Sequence, residues 1–239
     1  MYNVGVNMSN SEMRFCVELK LYLSLTCAQG LPRVCGCAEP TDMRGFHLLS
    51  CRLTDANKDR HNLVNNYLVN ILRKMGLLVV EEPTQRYPNN ELARADGELP
   101  NIRSDGRPVE WDLSVVTPLS VAGHQLVHAA EQVGYAAESA ATAKREKYIG
   151  NGLLTREDRP VLYPLVFETG GRRGKTSTAF FKMIAEAGED LQWGPQWRFW
   201  LTEVPKINAI MMKGTYRKLL KVRHKINAQY DNRLRRSGR

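Results

Sequence analysis

An α/β protein is the fold class this sequence predicts, and three stretches predict it. VEWDLSVV at 109–116 sets Val109, Trp111, Leu113 and Val115 against Glu110, Asp112 and Ser114, the period-two alternation of a half-buried strand. VLYPLVFE at 161–168 is a near-continuous apolar run of strand length. RHNLVNNYLVNILRKM at 60–75 places Leu63, Tyr67, Leu68, Ile71, Leu72 and Met75 at helical spacing, and Gly76 supplies a C-terminal stop.

The remaining elements follow in order. Residues 11–26 read as an amphipathic helix closed by the break at Gly30 and Pro32, and residues 33–51 as a turn-rich, cysteine-bearing segment. LLVVEEP at 77–83 predicts a strand ended by proline. Strands are expected around Leu92–Asp96 and Val109–Val116, joined by a polar loop that holds Asp105 and Gly106. One long helix is expected over about 120–148, with a small-residue centre at Ala136, Ala137, Ala140, Ala141 and Ala143. After the 161–168 strand come the loop TGGRRGK and a helix from about Ser177 to Ala187. Trp193, Trp197 and Trp200 mark a packed helical extension that leads into a basic C-terminal helix. There is no internal repeat and no low-complexity segment. The predicted parts are 1–58 (helix and cysteine-rich module), 59–190 (α/β domain) and 191–239 (helical extension with a basic tail).

With 239 residues, 43% of them hydrophobic and 25% charged, the chain can bury a substantial core. No run approaches the ~18 apolar residues of a membrane span, and no secretory leader pattern opens the chain. The expectation is an intracellular protein, not secreted and without a membrane partner, in the nucleus or another nucleic-acid-containing compartment. Of the net charge of +9, residues 206–239 carry +10, eleven basic residues against Asp231 alone. Such a segment predicts a nucleic-acid contact through Arg217, Lys218, Lys221, Arg223, Lys225, Arg233, Arg235 and Arg236; the plainer reading is a solvated tail that aids solubility.

VCGCAEPTDMRGFHLLSC supplies Cys35, Cys37, His47 and Cys51, three thiols and one imidazole. Four such ligands close a tetrahedral Zn²⁺ shell, which implies a structural role. Gly36 and Gly45 give the backbone freedom to bring the donors to one ion. Cys16 and Cys27, in or beside the first helix, read as core residues.

The acids of 93–118 raise a different question. A carboxylate in a half-buried strand is costly unless it is paired or binds a cation, and Asp112 sits between Trp111 and Leu113. If the two strands form a hairpin around the loop 101–107, Asp96 and Asp112 meet. Two carboxylates on neighbouring strands suit Mg²⁺ or Mn²⁺ and phosphodiester hydrolysis. Glu110 shares Asp112's face and is expected at the edge of the site, while Asp105 reads as a turn acid.

Taken together, Cys35, Cys37, His47 and Cys51, then Arg60-His61-Asn62, VVEEP, Arg94-Ala95-Asp96, Trp111-Asp112-Leu113-Ser114-Val115 and AKREKY form an ordered set. Over about residues 33–175 it resembles the C-terminus of site-specific non-LTR retrotransposons. There a CCHC zinc knuckle precedes a restriction-like endonuclease of the PD-(D/E)xK superfamily. The resemblance implies a mixed central sheet flanked by helices and Mg²⁺-dependent cleavage of DNA. It makes Asp96 and Asp112 the metal-binding acids, and it places the catalytic lysine on the following helix, since Ser114 stands at the usual lysine position. Lys144 and Lys147 are the two candidates, three residues apart on one helix face. His61 and Glu82 match positions the family tends to keep, with Glu82 a candidate outer metal ligand.

Ala95, where the motif has proline, together with the long basic tail, leaves an alternative. This is a catalytically inactive nuclease-fold protein serving as a nucleic-acid-binding or structural component of a ribonucleoprotein, with RNA in place of DNA. Arg94, Arg172, Arg173 and Lys175 are expected as backbone-phosphate contacts. GGRRGK is not a nucleotide-binding loop, because three residues rather than four separate its outer glycines. Glu168, before Gly170 and Gly171, is a candidate to face the same cleft. His124 and His128 lack the glutamate of a zinc-protease helix and read as surface histidines.

Overall fold

The computed structural model describes residues 6–21, 23–42, 44–83, 94–119, 124–149 and 160–236. The chain opens with α1 (Asn10–Lys20), a 3-10 turn (Thr26–Ala28), α2 (Phe46–Ser50) and α3 (Ala56–Lys74). The strands are β1 (Val80–Glu81), β2 (Gly97–Leu99), β3 (Val109–Val116) and β4 (Val161–Glu168), with α4 (His124–Glu131) and α5 (Tyr135–Ile149) between the last two. Then come α6 (Lys175–Asp190), the short α7 (Gln196–Arg198), a π-helical turn (Phe199–Glu203) and α8 (Val204–Arg236).

The four strands form one mixed sheet in sequence order, flanked by helices. β1 with β2 and β2 with β3 are antiparallel, whereas β3 and β4 are parallel. Period-two alternation on β3 and β4 sorts their side chains to two covered faces. On one face Trp111, Leu113, Leu165 and Phe167 join Leu68 and Leu72 of α3, Phe180 and Phe181 of α6, and Met211 and Leu219 of α8. On the other, Val116 and Val166 meet Ala137, Ala140 and Ala141. The run of alanines on α5 lets that helix lie close over the sheet.

β3 and β4 match their predicted bounds. Elsewhere the structure corrects the expectation. The expected helix over 120–148 is two helices, because Gly134 turns to φ +82° between them. α1 ends at Lys20 rather than near residue 26; it begins at a Ser9–Glu12 capping box, with Ser9 N–H on Glu12 Oε2 at 2.8 Å and Glu12 N–H on Ser9 Oγ at 3.2 Å. The strand foreseen over 77–83 keeps only Val80–Glu81, and β2 starts just after Asp96, while residues 92 and 93 of the expected strand lie outside the described residues.

The basic C-terminal segment is not a detached tail. Residues 206–236 of it lie in the single helix α8, whose Met211, Met212, Leu219, Val222 and Ile226 belong to the same core as Phe15, Cys35, Trp111 and Phe180. All three predicted parts therefore share one hydrophobic cluster. α8 approaches α3 closely at Gly214, where an added Cβ would sit 3.0 Å from Arg60 Cγ. Among the described residues no helix is long and apolar enough to cross a membrane.

Gly97 is where β2 meets the largest core side chain. A Cβ there would lie 2.1 Å from the Trp111 ring, and Trp111 is fully buried with its indole N–H on Asn65 Oδ1 at 2.9 Å. The ring has no room to yield. Gly97→Ala is expected to destabilise the protein by roughly 1–3 kcal/mol, the range for overpacking, read as a lower denaturation midpoint in urea.

Candidate active site and metal centre

Cys35, Cys37, His47 and Cys51 converge, with their donor atoms all within 4.8 Å of one another. Cys35 Sγ lies 3.6 Å from Cys51 Sγ, Cys37 Sγ lies 3.8 Å from Cys51 Sγ, and His47 Nε2 lies 3.4 Å from Cys37 Sγ. A tetrahedron with Zn–S bonds of about 2.3 Å has edges of about 3.8 Å, so this donor set fits a structural metal such as zinc. Local chemistry shapes it. Cys35 N–H bonds to Glu39 O at 2.8 Å, and Asp42 accepts the N–H groups of Phe46 and His47 at 2.9 and 2.6 Å. Gly45 sits at φ +80°, where a Cβ would meet Ala28 at 2.4 Å. Burial pushes the Cys51 thiol up to about 12 and raises Cys35 as well, so neither ionises at neutral pH unaided. A coordinated divalent cation is what deprotonates such thiols.

The sheet brings Asp96 and Asp112 to neighbouring strands, as the hairpin expectation required. Asp96 follows β1 and opens β2, and its Oδ2 accepts the Leu113 N–H of β3 at 2.5 Å and His61 Nε2 of α3 at 2.9 Å. Asp112 points to the α5 face, where Lys144 Nζ donates to its Oδ1. Lys147 turns away, its Nζ 3.4 Å from Tyr148 Oη and over that ring, while Tyr148 Oη donates to Arg94 O at 2.8 Å. The two lysines are thus separated by their surroundings, and Lys144 is the one that meets an acid. Desolvation alone would lower His61's pKa. The hydrogen bond and charge of Asp96, with the field of Asp112, more than offset this and raise it. Among the described residues only the Cys/His quartet gathers three or more donors close enough for one ion, so Asp96 and Asp112 form no such cluster with Glu82.

The other expected residues are scattered. Glu82 is exposed and pairs with Arg94 at 3.1 Å. Glu110 is buried on Asp112's side of β3 and stands directly across from Glu98, an acid that sequence reading passes over. Glu168 ends β4 facing α5, with Ala137 N–H at 3.4 Å and Arg172 Nε at 3.5 Å, away from Asp96. Arg173 lies half-buried over the Trp200 ring, and Lys175 is exposed at the start of α6. Arg217, Lys221, Lys225, Arg233 and Arg235 are exposed on α8, Arg223 is half-buried, and the Arg236 side chain lies outside the described residues, as does that of His124. His128 is a surface residue 3.9 Å from Glu131.

Lys218 departs from its expected role as an exposed contact. It is 2% exposed, donates to Leu49 O, and burial together with the charge of Arg60 brings it down to about 7. Arg60 is likewise 4% exposed, with Nη2 on Val115 O at 3.0 Å and on Asn57 Oδ1 at 3.3 Å. Its burial is hidden in the sequence, where it reads as a polar residue near a helix start.

No protein-family model matches the chain, and no curated protein matches it significantly.

Two outcomes follow from these geometries. Metal analysis should find one equivalent of zinc per chain, absent in Cys51→Ser, and chelation should destabilise the protein by several kcal/mol in a melting experiment. The His61–Asp96 pair has its own pH signature. Because the folded state binds the His61 proton more tightly, its contribution is complete below the unfolded pKa of about 6.5 and is lost as pH rises through the raised folded value. The stability difference between wild type and His61→Gln should therefore be largest near pH 5.5 and shrink toward pH 9.

Proposed function

We propose that this protein is a metal-dependent endonuclease of the PD-(D/E)xK kind, acting on nucleic acid and carrying an N-terminal zinc knuckle. The observation that carries this reading is Lys144. Of two lysines that sequence alone leaves equivalent, one reaches from α5 onto the face of β3 to Asp112, beside the strand that Asp96 opens. An acid pair on adjacent strands with a lysine delivered from the next helix is the arrangement the resemblance implies.

The acid pair has the donors for a cation. Asp96 Oδ1 and Asp112 Oδ2 accept no hydrogen bond among the described residues, and Mg²⁺ is commonly held by one or two carboxylates plus waters. When bound, Mg²⁺ or Mn²⁺ supplies Lewis-acid activation of water and balances charge on the phosphate. The chain's own groups divide the rest. His61 and the Leu113 N–H hold Asp96 in one orientation. Lys144 keeps an ammonium beside Asp112, placed to donate from Nζ to a phosphate oxygen or to the attacking water. α5 and its alanines exclude solvent from that side.

A second reading is favoured by the same contacts. Each acid already has a cationic or N–H partner, and no third acid converges among the described residues. This suits a nuclease fold retained for nucleic-acid binding within a ribonucleoprotein, with structure rather than chemistry preserved.

A nicking assay on supercoiled and branched DNA, with Mg²⁺ or Mn²⁺, separates them. Wild type should nick. Asp112→Ala should abolish cleavage with binding intact, Lys144→Ala should lose about 10²-fold or more, and Lys147→Ala should stay within a few-fold of wild type. Tight binding without nicking under either ion would establish the second reading.

A further inference from the structure

Beside the acid pair lies a cavity of about 530 Å³, walled by the C-terminal end of β3 (114–117), the start of α3 and the chain around α2. Its charged side chains are Arg52, Lys58, Arg60, His61 and Lys218. Among the described residues no acid lines it, and Arg52 and Lys58, exposed at its rim, make no ion pair.

The two buried cations are the informative ones. Arg60 and Lys218 are 4% and 2% exposed, and each is satisfied only by neutral oxygens: Val115 O, Asn57 Oδ1 and Thr215 Oγ1 for Arg60, and Leu49 O for Lys218. Arg60 Nε has no partner at all. The nearby acid Asp59 is engaged instead by Lys221 on the outside of the helix pair. Two cationic groups buried together without a carboxylate are expensive to hold in their charged forms, and an anion between them offsets that cost. With zinc bound, three thiolates and a neutral imidazole would give that centre a net charge of −1 near Lys218, which would balance one cation and leave Arg60.

We propose that this cavity is a phosphate-binding groove, which takes a backbone phosphate of a nucleic-acid strand and lays the neighbouring linkage against Asp96 and His61. The inference rests on the nucleic-acid reading above and assigns Arg60 and Lys218, from α3 and α8, as the floor of that groove. Arg60 offers a planar fork suited to phosphate, Lys218 a point charge, and Arg52 and Lys58 the entry. His61 belongs to both the groove wall and the Asp96 contact, so strand position and acid geometry meet at one side chain.

The test is fluorescence anisotropy with labelled duplex and single-stranded oligonucleotides over a salt series, using the full chain. Arg52→Gln/Lys58→Gln changes only exposed rim groups. It should weaken binding about tenfold and reduce the slope of log affinity against log salt by about 1 to 2. Arg60→Lys, which retains charge but not the fork, should weaken binding several-fold with a melting temperature close to wild type. Lys182→Gln, on α6 and 70% exposed, should bind as wild type. Wild-type affinity and slope in the rim variant overturns the groove while leaving the nucleic-acid reading standing. No oligonucleotide binding by wild type overturns both. Stabilisation by inorganic phosphate alone, lost in the rim variant and without oligonucleotide binding, overturns the nucleic-acid source of the phosphate.

Discussion

A strand covered on both faces leaves its polar side chains no bulk solvent, and β3 carries Glu110, Asp112 and Ser114 on the face that α5 overlies. The opposite face is closed by Trp111 and Leu113 against α3 and α6. Each acid on β3 therefore has to be answered from within the protein. Asp112 is answered by Lys144 of α5, the helix that among the described residues packs over its face. Asp96, just before β2, is answered by the Leu113 N–H and by His61. Burial of one strand thus dictates which helix supplies the lysine and which supplies the histidine.

The same logic extends to α3 and α8. Gly214 lets the two helices approach closely enough to enclose Arg60, and Lys218 follows one turn later on the same side of α8. The Cys/His module is tied to this pair through Leu49 O on Lys218 and through Gly36, which packs directly under Gln229. The metal centre, the helix pair and the end of β3 are consequently neighbours. A structural metal bound in such a place would do more than hold its own loop. By fixing Leu49 it would fix one partner of a buried cation, and so the wall of the cavity beside the acids.

Legibility in the sequence follows the range of the interaction. β3, β4 and the Cys/His quartet are readable because their signals are local: alternation, an apolar run, and donors within seventeen residues. The break at Gly134 was hidden by the helix-forming alanines on its C-terminal side, whose propensity says nothing of where a glycine takes positive φ. Lys144 and Lys147 could not be told apart because their difference lies in what each meets across the sheet, not in spacing. The basic stretch of α8 misleads for a related reason. Its charge is real, but helical periodicity turns Lys218 inward while Arg217 and Lys221 face out. Arg60 has no local signal whatever, since its burial depends on a helix more than 150 positions away.

The charge layout bears on which functional reading is the more economical. A protein kept only as a scaffold has no need of Asp112, since an apolar residue in its place would free both it and Lys144 from burial, and replacing a buried ion pair by apolar packing is often neutral or stabilising. A cation-dependent enzyme needs the pair held ready, with the ammonium occupying the carboxylate until a metal and substrate arrive. The cavity cations point the same way. Among the described residues Arg60 and Lys218 bond no acid, and they line the same cavity as His61, which holds Asp96. Buried cations and acids kept in separate contacts are hard to account for as fold stabilisation, because apolar side chains in their place would cost less desolvation. They are readily accounted for if a polyanion is to enter between them, its phosphate to the cationic wall and its scissile linkage to the acidic one.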